Sequence, residues 1–251
     1  MQNFEHIRMR YEPYPLGVVN PAIDPEFYGE LIANFPDVSL FGGLKNHPYK
    51  LSLSEKYAPA NYARFIRENG PWGRFHTWVK SDAFIRTVVD ALKAHHVDLP
   101  LDEAFETLPA KLKRHGRALL KGHLARPAPK LRTRFEFSVL KADGGEVAPH
   151  TDTQRKVVTL VISMCGEGEW REEIGGGLDV NRATDPRYAY NWKNRLVPWE
   201  DIEVIENIPF VPNQCTIFVK TFNSLHSVRR MTETGSDLLR KTITIVIEHA
   251  V

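Results

Sequence analysis

From residue 131 onward the chain is a succession of short apolar runs separated by turn residues, and this pattern limits the fold more than any other feature. Residues 132–140 alternate strictly, with Phe135, Phe137 and Val139 on one face and Arg134, Glu136 and Ser138 on the other. That period of two is the signature of a strand with two different faces. Similar runs follow at 150–152, 157–164, 178–180, 202–211, 215–221, 226–231 and 239–248. Between them stand turn signals: Asp143-Gly144-Gly145, the glycines at 166 and 168, and the triple glycine Gly175-Gly176-Gly177. Many short strands with turns every 8–12 residues or so predict a sandwich or barrel, and a double-sheet jelly roll fits the number of runs.

The first half reads differently. Leu16-Gly17-Val18-Val19 forms an opening strand between prolines 15 and 21. Asp24-Pro25 supplies a helix cap with proline at the first helical position, and Phe27, Leu31 and Phe35 repeat every four residues. Residues 37–56 are rich in Gly, Pro and Ser and are expected to be loop, with a short helix over 60–68. Ser81-Asp82 opens a stronger helix whose Phe84, Ile85, Val88, Val89 and Leu92 share a face that needs a sheet to cover it. The adjacent His95 and His96 diverge on a helix and are read as structural. A further helical region spans 101–124, interrupted at Pro109, and Arg126-Pro127-Ala128-Pro129 reads as a stiff linker. No boundary separates the halves convincingly. The expectation is one domain over 1–251: a mainly helical supporting region over 1–130 and a jelly-roll core over 131–251.

Composition narrows the setting. The formal net charge is +2, so charge alone names no partner. The two cysteines, Cys165 and Cys215, sit in no C-x-x-C or Cys/His cluster, which argues against a disulfide framework and a structural zinc. The N-terminal residues lack an apolar signal core, and no apolar run is long enough for a membrane helix. A soluble, cytoplasmic protein is expected. Residues 111–134 hold nine Lys/Arg and no acid. This is a solvated face, or a positive rim that draws in an anionic partner; no motif or aromatic interleaving points to nucleic acid.

The chemistry is concentrated in three short stretches. In Ala148-Pro149-His150-Thr151-Asp152, an imidazole and a carboxylate stand two residues apart, so an extended backbone aims both at one ion. A second histidine, His226 in Asn223-Ser224-Leu225-His226-Ser227, lies 76 residues on, beside another strand. Two histidines and a carboxylate on one side of a metal, with open positions opposite, suit non-heme Fe(II). In Leu239-Arg240-Lys241-Thr242, Arg240 and Thr242 share a face opposite Ile243, Ile245 and Ile247. An arginine on an inward face is costly unless it meets an anion, and its planar fork suits a carboxylate.

Taken together, H-T-D, the glycine-rich segment, N-S-L-H-S and L-R-K-T resemble the Fe(II)/2-oxoglutarate-dependent oxygenases of the prolyl-hydroxylase-like type, over roughly residues 132–248. The resemblance implies a double-stranded β-helix, the jelly-roll variant of that family. It implies His150, Asp152 and His226 as iron ligands. It also implies Arg240, helped by Thr242, as the site for the distal carboxylate of 2-oxoglutarate, with O2 as the third reactant. The expected reaction is hydroxylation of a C–H bond in a small molecule or a side chain, with release of succinate and CO2. Asp152 is present where halogenating relatives carry a small residue, which favours hydroxylation, or another oxidation such as desaturation, over halogenation. Lys141 stands where members of this type often carry a tyrosine, leaving the second half of the co-substrate clamp open.

Gln154 and Arg155 directly follow the H-x-D and are expected at the site mouth. The insert over 181–200, with Tyr188, Tyr190, Trp192 and Trp199, is a candidate substrate loop, Trp192 above all. Two other functions fit the same residues: a cupin-like metal-dependent dioxygenase or isomerase without 2-oxoglutarate, and a jelly-roll binding module without turnover.

Overall fold

A computed structural model describes residues 4, 6–44, 47–99, 101–121, 123–124 and 128–250. Arg126 and Pro127 of the expected linker lie outside the described residues. In sequence order the elements are β1 (Arg8–Arg10), β2 (Leu16–Val19), α1 (Pro25–Ala33), β3 (Gly42–Leu44), β4 (His47–Ser54), α2 (Pro59–Glu68), α3 (Gly70–Val79), α4 (Asp82–Ala94) and α5 (Leu108–Leu120). The strands β5 (Leu131–Lys141), β6 (Val147–His150), β7 (Lys156–Ser163), β8 (Leu178–Ala183), β9 (Ile202–Ile208), β10 (Cys215–Val219), β11 (His226–Val228) and β12 (Leu239–His249) follow. Among the described residues no helix is long and apolar enough to cross a membrane.

The strands form two sheets, of order β1-β2-β10-β7-β12-β5-β4-β3 and β6-β11-β8-β9. Every pairing is antiparallel. From β5 to β12 the backbone passes repeatedly between the sheets, so that β5, β7, β10 and β12 are neighbours in one while β6, β8, β9 and β11 make up the other. That is a jelly roll, the double-stranded β-helix expected from the strand series.

The large sheet has two unlike faces, because its strands alternate. Phe135 and Phe137 of β5, Val158, Leu160 and Ile162 of β7, and Ile243, Ile245 and Ile247 of β12 join the helices in the main core. The opposite face looks into the roll and is polar at Ser138, Thr159, Thr242 and Thr244. The helices are anchored as the sequence predicts. Asp24 accepts the Phe27 N–H at the start of α1 and Ser81 accepts the Phe84 N–H at the start of α4. The α4 face of Phe84, Ile85, Val88, Val89 and Leu92 is buried. Pro109 lies in the first turn of α5, where its missing N–H costs nothing, rather than inside a longer helix.

Two expectations for the first half need correction. Residues 37–56 are not a loop: β3 and β4 extend the large sheet beyond β5, with Leu51 facing Val139 and Leu53 facing Phe137. The alternation Lys50-Leu51-Ser52-Leu53-Ser54 carries that strand despite the loop-like composition around it. The supporting region also holds α3, whose Asn69 side chain accepts the Trp72 N–H. Trp72 is fully buried and packs edge-on against Phe137 with ring centroids 4.7 Å apart.

Phe137 touches Phe35, Tyr62, Phe65, Trp72 and Phe135 with its ring, which makes it the joint between helices and sheet. Phe137→Ala is expected to lower unfolding free energy by about 3–5 kcal/mol. Leu120→Ala, at an 89% exposed position, should change it by no more than about 0.5 kcal/mol. Urea unfolding of both variants checks this.

Candidate metal centre

The two histidines meet because β11 pairs antiparallel with β6: His226 lies directly opposite His150, and the register shifts between His226 and Val228. Their rings are 4.4 Å apart, and Phe218 of β10 backs His226 at 4.3 Å. The residues before His226 explain the bend that presents it. Ser224 accepts the Thr221 N–H at 3.1 Å, Asn223 donates to Pro13 O at 2.7 Å, and Tyr14 donates its hydroxyl to Leu225 O at 2.9 Å. The N-S-L-H stretch is therefore a hydrogen-bonded turn tied to the N-terminal segment.

Each imidazole is oriented in the same way. His150 Nδ1 lies 2.9 Å from Ala148 O, and His226 Nδ1 lies 2.9 Å from Ser224 O. A carbonyl only accepts, so both Nδ1 atoms carry the proton and both Nε2 atoms keep their lone pairs for a metal. Asp152 follows β6 by two residues and completes the group. One ligand atom from each of the three lies within 4.8 Å of the others. Asp152 Oδ2 accepts from Thr159 Oγ1 at 2.7 Å, and Oδ1 accepts from Lys156 Nζ. The Nε2 pair and an ionised carboxylate form a donor set that fits a divalent ion such as Fe(II).

Electrostatics keep all three groups ready. Burial pushes both imidazoles toward the neutral form, aided at His150 by His226, and His150 falls to about 3. Burial alone would raise the Asp152 carboxyl, but Lys156, His226 and His150 together outweigh it, Lys156 most, and hold the group well below the usual carboxylate range.

The triad stands between two cavities. The inner one, about 130 Å³, lies between the sheets and is walled by Val161, Leu178, Phe218 and Val228, with Arg240, Thr242 and Thr244 along β12. Arg240 and Thr242 are both buried and lie on the face expected for them. The Arg240 Nε donates to Gly176 O at 2.5 Å, and its guanidinium lies over the Phe210 ring at 4.7 Å. The triple glycine is needed here. Gly176 has φ +79°, and a Cβ on it would come within about 3 Å of Met231, Trp170 and Arg240. Among the described residues no carboxylate pairs with Arg240. Lys50, which sequence reasoning passed over, occupies the same cross-strand row, Lys50–Leu140–Arg240, and lines the inner cavity. Lys141 is exposed.

The outer cavity, about 300 Å³, shares Lys50, Val147, His150, Asp152 and Lys156 with the inner one and adds Lys56, Tyr57, Arg134 and Glu136. The insert reaches it through Asn194 and Leu196. The insert is fixed to the ligand-bearing segments, with Thr151 Oγ1 donating to Asn191 O at 2.6 Å and Val197 N–H donating to Pro149 O at 2.9 Å. Trp192, Gln154 and Arg155 line neither cavity. The last two are exposed in the turn before β7, and the Trp192 ring instead meets Lys220 Nζ at 5.0 Å. Lys156 and Thr159, the partners of Asp152, were also missed; the i, i+4 spacing of Asp152 and Lys156 was the available signal.

No protein-family model and no curated protein matches this sequence. Among solved structures it is similar to a Pseudomonas putida prolyl-4-hydroxylase, with TM-score 0.49 and 10% identity over 96% of this chain and 95% of that one. A Trichoplax adhaerens prolyl hydroxylase, in complex with a hypoxia inducible factor peptide fragment, is similar with TM-score 0.48 and 8% identity over 93% and 83%. The non-heme alpha-ketoglutarate-dependent epimerase SnoN from nogalamycin biosynthesis has TM-score 0.45 and 15% identity over 96% and 79%. The fold assignment rests on the strand order and not on these likenesses.

Because all three ligands already stand in their metal-binding protonation states, divalent metal binding should release essentially no proton at pH 7. Calorimetry in buffers of different ionisation enthalpy checks this, and the apparent enthalpy should not vary with the buffer. Affinity should hold as the pH falls through the ordinary histidine value of about 6.5 and decline only below it, as protons reach first His226 and then His150. Thr159→Val, which removes one hydrogen bond to Asp152, should weaken metal binding by about 10–100-fold.

Proposed function

We propose that this protein is a non-heme Fe(II)- and 2-oxoglutarate-dependent oxygenase that hydroxylates a C–H bond of a small molecule or side chain. One observation carries the reading. A buried arginine without a carboxylate partner among the described residues lines the same cavity as two Nε2 lone pairs and an ionised carboxylate. A buried guanidinium without an anion is expensive, so the cavity is shaped for a ligand that brings one.

In this reading His150, Asp152 and His226 hold the iron, and Arg240 with Thr242 receives the distal carboxylate of 2-oxoglutarate. When bound, iron with 2-oxoglutarate and O2 supplies an oxidant for the C–H bond, while 2-oxoglutarate is converted to succinate and CO2. The protein's own residues bind, orient and exclude water. Lys156 and Thr159 fix the rotamer and charge of Asp152. Gly176 O and the Phe210 ring fix the direction of Arg240, so its remaining N–H groups can form the two parallel bonds that a carboxylate accepts. Val161, Leu178, Phe218 and Val228 keep the inner cavity dry, which strengthens every charge interaction inside it. Lys50, on the Arg240 row, lines the same cavity with its charge shared with Glu136.

Release of labelled CO2 from 1-¹⁴C-2-oxoglutarate tests the reading. The wild type should release it, even slowly without substrate, and Asp152→Ala should not, while retaining the fold by circular dichroism. Arg240→Gln should raise the 2-oxoglutarate concentration needed by about 100-fold, the loss of a buried charge-assisted pair. Undiminished release from Asp152→Ala would contradict the triad. An unchanged requirement in Arg240→Gln would leave a metal-dependent enzyme that does not use 2-oxoglutarate.

A further inference from the structure

The outer cavity has its own charge pattern. Among the described residues four cations line it, Lys50, Lys56, Arg134 and Lys156, against two carboxylates, Glu136 and Asp152. Two of the cations are already matched: Lys156 pairs with Asp152, and Lys50 lies 3.3 Å from Glu136. That leaves Arg134 and Lys56. Arg134 projects from β5 on the face opposite Phe135 and Phe137, two residues before Glu136. Its Nε is buried and has no hydrogen-bond partner among the described residues. Nearly all buried N–H groups are satisfied in folded proteins, so the orphaned Nε leaves Arg134 with donor capacity that the described residues do not use. Lys56 stands just past Ser54, whose strand partner is Glu136, and its Nζ lies 5.1 Å from the Tyr57 ring centroid. The remaining wall is apolar at Leu44, Val147 and Leu196.

We infer that the outer cavity is the substrate site, and that it selects an anionic small molecule whose carboxylate or phosphate is held by Arg134 and Lys56. A short apolar portion of the molecule lies along Leu44, Val147 and Leu196 and brings its C–H to the open side of the triad. The inference rests on the oxygenase reading for the reaction, but the anion site has its own residues. Arg134 lines the outer cavity alone, and Arg240 lines the inner one alone. Glu136 offsets Arg134 only in part. Burial works to raise its carboxyl, and Lys50 first, then Arg134, more than offset that, so Glu136 is ionised with Lys50 as its nearest cation. The basic stretch over 111–134 thus ends at a residue with a specific role, since among its described residues Arg134 is the cation that lines this cavity.

The test uses full-length protein loaded with Mn(II) and saturated with 2-oxoglutarate, so that the inner cavity is filled. Inorganic phosphate and acetate are then titrated separately at constant ionic strength, followed by calorimetry. The wild type should bind at least one of them saturably. Arg134→Gln should weaken that binding by at least about tenfold, and Lys56→Gln by about threefold or more. Arg187→Gln, at an exposed cation outside the cavity, should leave it unchanged. Tighter phosphate binding points to phosphorylated substrates, and comparable acetate binding points to carboxylates. No saturable binding in the wild type, or equal binding in wild type, Arg134→Gln and Lys56→Gln, overturns the inference. Lys56 is exposed, so Lys56→Gln decides the matter if Arg134→Gln fails to fold. The preceding 2-oxoglutarate titration judges the oxygenase reading separately. Its failure alongside anion binding that depends on Arg134 would sink that reading and leave the anion site standing.

Discussion

The register between β6 and β11 is the constraint on which the site depends. Pairing His226 with His150 brings together two ligands that are 76 residues apart in the sequence. A slip of one residue would turn one imidazole to the opposite face and dissolve the group. The register is held from outside the strands as well as by their own short ladder. Tyr14, Asn223 and Ser224 pin the turn before β11. Thr151 and Pro149 tie the segment after β8 to the end of β6. A three-residue strand such as β11 has little pairing of its own, so these polar ties and the Phe218 ring behind His226 keep the ligands in place.

The large sheet makes a second division possible, between structure and chemistry on the same strands. On β12, Ile243, Ile245 and Ile247 enter the core shared with the helices, while Arg240, Thr242 and Thr244 face the inner cavity. On β5, Phe135 and Phe137 lock the helices, while Arg134, Glu136 and Ser138 line the two cavities. Stability is thus concentrated on one side of the sheet. The other side is left polar, which in an interior is tolerable only where hydrogen bonds or ligands satisfy it.

Much of this was legible in the residues. Alternation over 132–140 and 239–248 assigned both strand and face, because a half-buried strand must alternate. The H-x-D and Arg240-x-Thr242 pairs could be placed because residues i and i+2 share a side. Less visible were features set by tertiary neighbours. The glycine-rich residues around β3 and β4 resemble loop, and only pairing with β5 turns them into sheet. Gly70, Pro71 and Gly73 hide the helix α3, whose real signal is the Asn69 cap. Nearness in sequence also misled: Gln154 and Arg155 follow the H-x-D but point away, in an exposed turn. Arg134, 16 residues before His150, enters the adjoining cavity because β5 runs beneath it. The insert meets that cavity through Asn194 and Leu196 rather than Trp192, since Asn191 fixes where the loop turns.

The most direct measurement is an anaerobic titration of Fe(II)-loaded protein with 2-oxoglutarate, following the visible metal-to-ligand charge-transfer absorption. The account predicts a saturable band in the wild type and none in His150→Ala. Iron that binds to the wild type but develops no such band at any 2-oxoglutarate concentration would contradict it.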